Sequence, residues 1–234
     1  MNRWPAGLHA LGTPLVRCHL LVEGNSAVLI DTGLWGIARA VRHRMQRLGL
    51  GPENLRAILL THGHLDHTAG LAALKSWSGA PVYAHPREEP HIDGVYPYTG
   101  SARFCGWLEA AGRRVFRYRP VKIDRPLADG DVLPFWGGLR VLHLPGHTAG
   151  HCGFFSERHR LFFCGDLFAS YAPKPRFPPD VLNVDSREVR HSAELALLTL
   201  GPVDIVPNHY DVREPHLHGK RFRQLLAEER QHVI

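Results

Sequence analysis

The run His62-Gly63-His64-Leu65-Asp66-His67 packs three imidazoles and one carboxylate into six consecutive residues. These side chains are donors for a borderline divalent cation such as zinc, iron or manganese. In an extended segment His62 and His64 point to the same side, because side chains alternate with a period of two, so both can grip one ion. Asp66 and His67 follow where a helix begins, a position that favours a carboxylate as cap and through the helix dipole. They face differently and could reach a second ion. The chemistry this implies is activation of water between two metal ions.

One loop cannot close two metal sites, and further donors must come from elsewhere in the chain. Three candidates each follow an apolar stretch: His147 in the segment 141–151, Asp166 after 161–165, and His209 after 203–208. A single histidine at a strand end is more often hydrogen-bonded than metal-bound. Together with the first loop they form a coherent set, because strand ends along one sheet edge converge on one place.

The elements that must position these residues alternate between strand and helix patterns. Strands are expected at 16–22 and 27–30 around the turn 23–26, then at 57–60, 81–84, 132–134, 139–143, 152–155, 161–164 and 203–206. Helical spacing of apolar residues predicts helices over 36–48, 68–77, 187–200 and 220–231, with another around 104–111. The stretch 85–119 is otherwise irregular and reads as surface loop, as does the Pro-rich 172–179. Strand pairs with interspersed helices in both halves point to two sheets covered by helices, an α/β domain spanning residues 1–234.

At this level the chain resembles the metallo-β-lactamase-fold hydrolases, which carry an H-x-H-x-D-H loop followed by a distant His, Asp and His. It is most similar to the branch of hydroxyacylglutathione hydrolases and metal-dependent lactonases. The likeness runs from Leu29-Ile30-Asp31-Thr32-Gly33 through Pro145-Gly146-His147-Thr148-Ala149-Gly150-His151 to Pro207-Asn208-His209. The resemblance implies a four-layer αββα sandwich with two divalent metal ions, zinc first, with iron or manganese as alternatives. By the same resemblance His62, His64 and His147 hold one ion, Asp66, His67 and His209 the other, and Asp166 bridges them. Asp31 then orients a metal-bound imidazole by accepting its other N–H. His151 also falls in the shared motif, and we read it as structural or as a support behind the ligands rather than a ligand.

The activity so implied is cleavage of an ester-like bond (thioester, lactone or related carbonyl) by a metal-bridging hydroxide, with Asp66 and Asp166 as catalytic residues. His64 stands where oxygen-reducing diiron relatives usually place a Glu. Asp166 stands where true β-lactamases generally lack a bridging Asp. Only 25 residues follow His209, too few for the C-terminal helical region with which hydroxyacylglutathione hydrolases hold glutathione. The lactonases place a Tyr three residues after the bridging Asp, where this chain has Ala169. Phe168, Tyr171 and Tyr96 are the named candidates for substrate contact, with Tyr98, Lys174 and Arg176 near them.

Composition narrows the alternatives. The 234 residues are 44% hydrophobic and 21% charged, ordinary for a globular chain, and no apolar run is long enough for a membrane span. The N-terminus lacks the pattern of a signal peptide, and a cytoplasmic location is the expectation. Four cysteines without a C-x-x-C pair read as buried thiols. The net charge of +6 raises a second class, a phosphodiesterase or nuclease acting on nucleic acid with the same metal core. Against it, the arginines are dispersed, with Arg39, Arg42, Arg44 and Arg47 on one predicted helix and Arg113, Arg114, Arg117 and Arg119 elsewhere. A small-molecule substrate without nucleic acid or membrane partners is therefore expected, and the oligomeric state is not legible.

Overall fold

Short strands whose alternate side chains are all apolar need cover on both faces, and this chain provides it with two face-to-face sheets and outer helices. The computed structural model describes residues 4–13, 15–95, 98–211 and 214–232. One sheet runs in the order β1 (Leu8–Gly12), β2 (Arg17–Glu23), β3 (Ser26–Ile30), β4 (Leu55–Leu59), β5 (Val82–Ala84) and β6 (Arg125–Pro126). The first three strands pair antiparallel, and β3 to β6 pair in parallel. The second sheet contains β7 (Val132–Leu133), β8 (Leu139–His143), β9 (Cys152–Ser156), β10 (Leu161–Gly165) and β11 (Asp204–Pro207), ordered β11-β10-β9-β8-β7. Only the β10–β11 pair in it is parallel.

Seven α-helices are described: α1 (Ile37–Arg47), α2 (Leu65–Thr68), α3 (Leu71–Ser78), α4 (Glu89–Asp93), α5 (Arg103–Val115), α6 (Ser186–Leu200) and α7 (Pro215–His232). Strand alternation sorts the buried side chains into layers. Cys18 and Leu20 of β2, with Ala27 and Leu29 of β3, pack against Val41 and Met45 of α1 and Leu71 and Leu74 of α3. Their neighbours Leu21, Val28 and Ile30 face the other way, into a core shared with Val141, Phe154 and Phe163 of the second sheet. Phe155 and Phe162 point outward again, onto Ala193 and Ala196 of α6 and Phe222 and Leu226 of α7. The result is the αββα sandwich, and each buried Phe contributes about 1.5–3 kcal/mol.

Where the structure departs from the sequence reading, backbone geometry explains it. The expected helix over 68–77 is two helices, α2 and α3, parted at Gly70. A Cβ at Gly70 would lie 2.7 Å from the Thr32 carbonyl oxygen, so only glycine lets the break press against the Asp-Thr-Gly turn. The helix around 104–111 extends over Arg103–Val115, and the last helix starts at Pro215 rather than 220, with a proline at its first position. Strand β1 carries no clean alternation and was not anticipated. No described helix is long and apolar enough to cross a membrane.

Candidate metal centre

Segments that follow the C-terminal ends of β3, β4, β8, β10 and β11 meet at one edge of the sandwich. Three overlapping groups of donors form there, each with ligand atoms within 4.8 Å of one another: His62, His64 and His147; His62, His67 and Asp166; and Asp66, His67 and His209. All seven residues assigned through the resemblance are thus brought together. Asp166 stands between the first and last groups. Its Oδ1 lies 3.3 Å from His67 Nε2, and its Oδ2 lies 3.5 Å from His147 Nε2 and 3.0 Å from His209 Nε2. Asp66 Oδ2 lies 3.7 Å from His67 Nε2 and 3.5 Å from His209 Nε2.

Local geometry explains how β4 delivers this loop. His64 has extended backbone (φ −62°, ψ 153°) and is the N-cap of α2, while Asp66 falls in the first helical turn. Asp66 is therefore not the cap, although the helix dipole still favours a carboxylate there. A Cβ at Gly63 would come within 2.5 Å of His91 Cβ, so glycine is required for the loop to sit against α4.

Each histidine in the groups has one ring nitrogen tied down and the other left for the centre. His62 Nδ1 pairs with Thr61 Oγ1 at 3.0 Å, and that hydroxyl donates to Asp31 Oδ2 at 2.8 Å. His67 Nδ1 donates directly to Asp31 Oδ2 at 3.0 Å. Asp31 also accepts from Thr61 N and Asn208 Nδ2, both at 2.8 Å. One buried carboxylate thus orients an imidazole in each half of the site, the outer-shell arrangement that fixes tautomer and ring angle. His147 Nδ1 is held by Asn183 Oδ1 at 2.8 Å. His209 Nδ1 donates to the Leu15 carbonyl, and His64 Nε2 meets the Tyr98 hydroxyl, leaving its Nδ1 for the centre. His151 belongs to none of the groups: its Nδ1 donates to Leu144 O, and its Nε2 accepts from Asp166 N, both at 3.1 Å.

His62 Nε2, His67 Nε2, His147 Nε2 and Asp166 Oδ1 are buried without a hydrogen-bond partner. An unsatisfied buried polar atom costs about 1–3 kcal/mol, and four around one point mark a place built for cations. The donor types fit divalent metal ions. Electrostatics divide the site. Burial, with the neighbouring imidazoles, holds His62 and His64 well below the usual histidine range. Burial opposes a charge on His67 and His209 as well, but Asp166 and Asp66 outweigh it. His67 is raised well above its ordinary value and His209 to about 9. Burial works against ionised Asp166, yet His209 and His67 hold its pKa well below the carboxylate range.

Three charged residues brace the ligand loops without belonging to any group, and nothing in the sequence marked them. Glu88, fully buried, accepts from Gly63 N at 2.6 Å and Gly150 N at 2.7 Å, tying the 62–67 loop to the 145–151 loop. Glu109 accepts from Leu65 N at 2.6 Å. Arg113 donates to the carbonyls of Gly63 at 3.1 Å and His91 at 2.6 Å. The stretch read as irregular surface loop is thus partly the scaffold of the site.

Two hollows open onto the centre. One, of about 150 Å³, lies against His147, Asp166 and His209 and is walled by Phe168, Phe177, Pro178 and Leu182. The other, about 280 Å³, is bounded by Leu34, His64, Asp66, Leu108 and Glu109. Of the expected substrate contacts, Phe168 lines the first hollow but is fully buried, packed on Phe222 at 4.8 Å. Tyr171 lines it too, with its hydroxyl donating to Leu15 O at 3.0 Å. Arg176 joins them, Lys174 is exposed, and Tyr96 lies outside the described residues.

The sequence profile of the metallo-beta-lactamase superfamily matches residues 11–209. The chain belongs to that superfamily. The chain is similar to "Probable metallo-hydrolase YflN" of Bacillus subtilis, 28% identical over 95% of this chain and 89% of that protein. "Hydroxyacylglutathione hydrolase GloC" of Haemophilus influenzae is 31% identical over 69% of this chain and 71% of its own length. Among solved structures, TTHA1623 in a di-iron-bound form is 27% identical with a TM-score of 0.67, covering 92% of this chain and 97% of its own. A metallo-beta-lactamase of Cronobacter sakazakii superposes with a TM-score of 0.70 over the whole chain and 93% of its own, at 23% identity, and so shares the fold. Superfamily membership and the His/Asp cluster make this chain a metal-dependent hydrolase.

Proposed function

We propose that the protein is a dinuclear hydrolase that cleaves an ester-like carbonyl bond, with thioesters as the first class and lactones as the second. The observation that supports this most is the placement of Asp166, whose two oxygens face histidines of both half-sites. His62, His64 and His147 would hold one ion, Asp66, His67 and His209 the other, and Asp166 both. Two such ions lower the proton affinity of a shared water and polarise a carbonyl oxygen.

The protein's own groups divide the remaining work. Asp31 keeps His62 and His67 in the tautomer that presents Nε2 inward. Asp66, one third exposed at the mouth, is our assignment for the carboxylate that takes up the proton released as water attacks. The apolar hollow beside Phe177 and Leu182 would receive the acyl side of the substrate and exclude bulk water. No serine or cysteine nucleophile is needed: all four cysteines are buried.

The similarity to GloC favours thioesters, and the donor set suits zinc, iron and manganese alike. Zinc is our first assignment, and TTHA1623, described in a di-iron-bound form, makes iron the alternative. The test is elemental analysis of isolated protein followed by a panel of thioesters, lactones, aryl esters and phosphodiesters. Turnover of thioesters or lactones that vanishes with a chelator and returns with metal is expected. Turnover confined to phosphodiesters would overturn the reading in favour of nucleic-acid processing.

A further inference from the structure

Along the sequence the arginines are scattered and read as solvated surface. Folding gathers four of them. Arg39 and Arg42 of α1, and Arg117 and Arg119 beyond the end of α5, line one cleft of about 620 Å³. Small side chains of α3, Ala72 and Ala73, leave room between them. No acidic residue lines the cleft, and among the described residues none of these four guanidinium groups forms an ion pair. Like charges placed together without a counter-charge repel one another, so the arrangement favours an anion in the cleft. Arg42 is held in place, donating to Ala73 O at 2.7 Å with its guanidinium over the Trp77 ring. Trp35, on the cleft lining, leaves 81% of its surface exposed, an aromatic face with no packing duty.

The cleft adjoins the hollow that opens onto the metal centre. Leu34 lines both it and the hollow formed by His64, Asp66 and Asp166. A carbonyl at the centre therefore has a small apolar pocket on one side and a larger basic cleft on the other. The small side suits a short acyl group, and the basic side suits a leaving group with several negative charges. Guanidinium forks match phosphate oxygens in a bidentate way that a single carboxylate exploits only once.

Resting on the hydrolase reading above, we propose that the substrate is a thioester whose thiol carries a phosphorylated tail, and that this tail lies on Arg39, Arg117 and Arg119 with Trp35 beside it. The reaction consumes one water. Its oxygen bonds to the carbonyl carbon, and the carbon–sulfur bond breaks with its electron pair on sulfur. The thiolate takes up one proton, and the acyl group leaves as the carboxylic acid. The free thiol departs along the cleft.

The test compares three acetyl thioesters on the metal-loaded full chain: N-acetylcysteamine (uncharged), glutathione (carboxylates) and coenzyme A (phosphates). The coenzyme A thioester is expected to show a KM at least about tenfold below that of N-acetylcysteamine, an effect of the size of one charged bidentate contact. The Arg117→Ala, Arg119→Ala double variant should lose that discrimination, as should wild type at high salt. Independently of turnover, adenosine 3′,5′-bisphosphate should quench tryptophan fluorescence in wild type, and much less in Trp35→Phe or in the double arginine variant. Equal KM values for coenzyme A and N-acetylcysteamine would overturn the proposal. So would an arginine-dependent preference for glutathione, or a short RNA that displaces the bisphosphate and is itself cleaved. Bisphosphate quenching with no turnover of any thioester would leave the cleft a phosphate site and sink the hydrolase reading separately.

Discussion

The two halves of the metal centre are built differently. His62, His64 and His147 are 0%, 5% and 2% exposed, and their outer nitrogens rest on side-chain oxygens of Thr61, Tyr98 and Asn183. In the other half, His67 is buried, but the side chains of Asp66 and His209 are 33% and 22% exposed, and the outer nitrogen of His209 rests on a main-chain carbonyl. Burial keeps the first set uncharged, whereas the carboxylates hold His67 and His209 in the protonated range. The first half is ready for an ion as neutral imidazoles. The second must release protons before it can bind one.

Asp166 belongs to both halves, so Asp166→Ala should have the largest effect. Turnover should fall by more than the roughly 10–100-fold seen when outer-shell partners of a metal site are lost, and metal content should fall with it. Unchanged turnover with full metal content would dismiss the bridging role. Asp31→Asn comes next: it loosens His62 through Thr61 and His67 directly. A loss of about 10–100-fold in metal affinity is expected in both halves, and a defect confined to one would show that Asp31 does not couple them.

The asymmetry itself predicts a pH dependence. Below about 9 an ion entering the second half must displace a proton from His209. Affinity there should rise with pH, by about tenfold per pH unit for each proton displaced, and His67, also raised well above its ordinary value, adds a second proton to that slope. Affinity in the first half should stay flat from pH 7 to 9, because its rings are already neutral. Parallel curves in a titration of metal affinity against pH would erase the distinction.

Glu88→Gln should have the smallest effect. It leaves one of the Gly63 and Gly150 amides facing an NH2 group, and the melting temperature should drop by a few degrees, about 2–4 °C per kcal/mol for a chain of this size. Burial raises the Glu88 carboxyl to about 7 from an ordinary 4.5. The folded state therefore holds this proton more tightly than the unfolded chain. Its contribution is present below pH 4.5 and lost as pH rises through 7. In metal-free protein, thermal melts of the variant should lack that part of the pH slope, and an unaltered slope would assign the proton elsewhere.

The cluster of candidate donors was readable because metal chemistry demands particular donors at short fixed spacings and because strand alternation shows where each strand delivers them. The layered fold was readable for the same reason. The braces were not: Glu88 meets Gly63 from 25 residues away, Arg113 reaches it from 50, and Asn183 reaches His147 from 36. A charged residue in an irregular stretch looks the same whether it faces water or a buried amide. The arginine cleft was hidden likewise, since Arg39 of α1 and Arg119 beyond the end of α5 come to line one cleft only in the folded chain.

The most direct test of a two-ion hydrolase with unequal halves is staged removal of metal, with ion content and thioester or lactone turnover followed on the same sample. Two ions per chain are predicted, one leaving at low chelator concentration with turnover falling in step, and the other only under harsher treatment. Full turnover by protein that retains a single ion would contradict it.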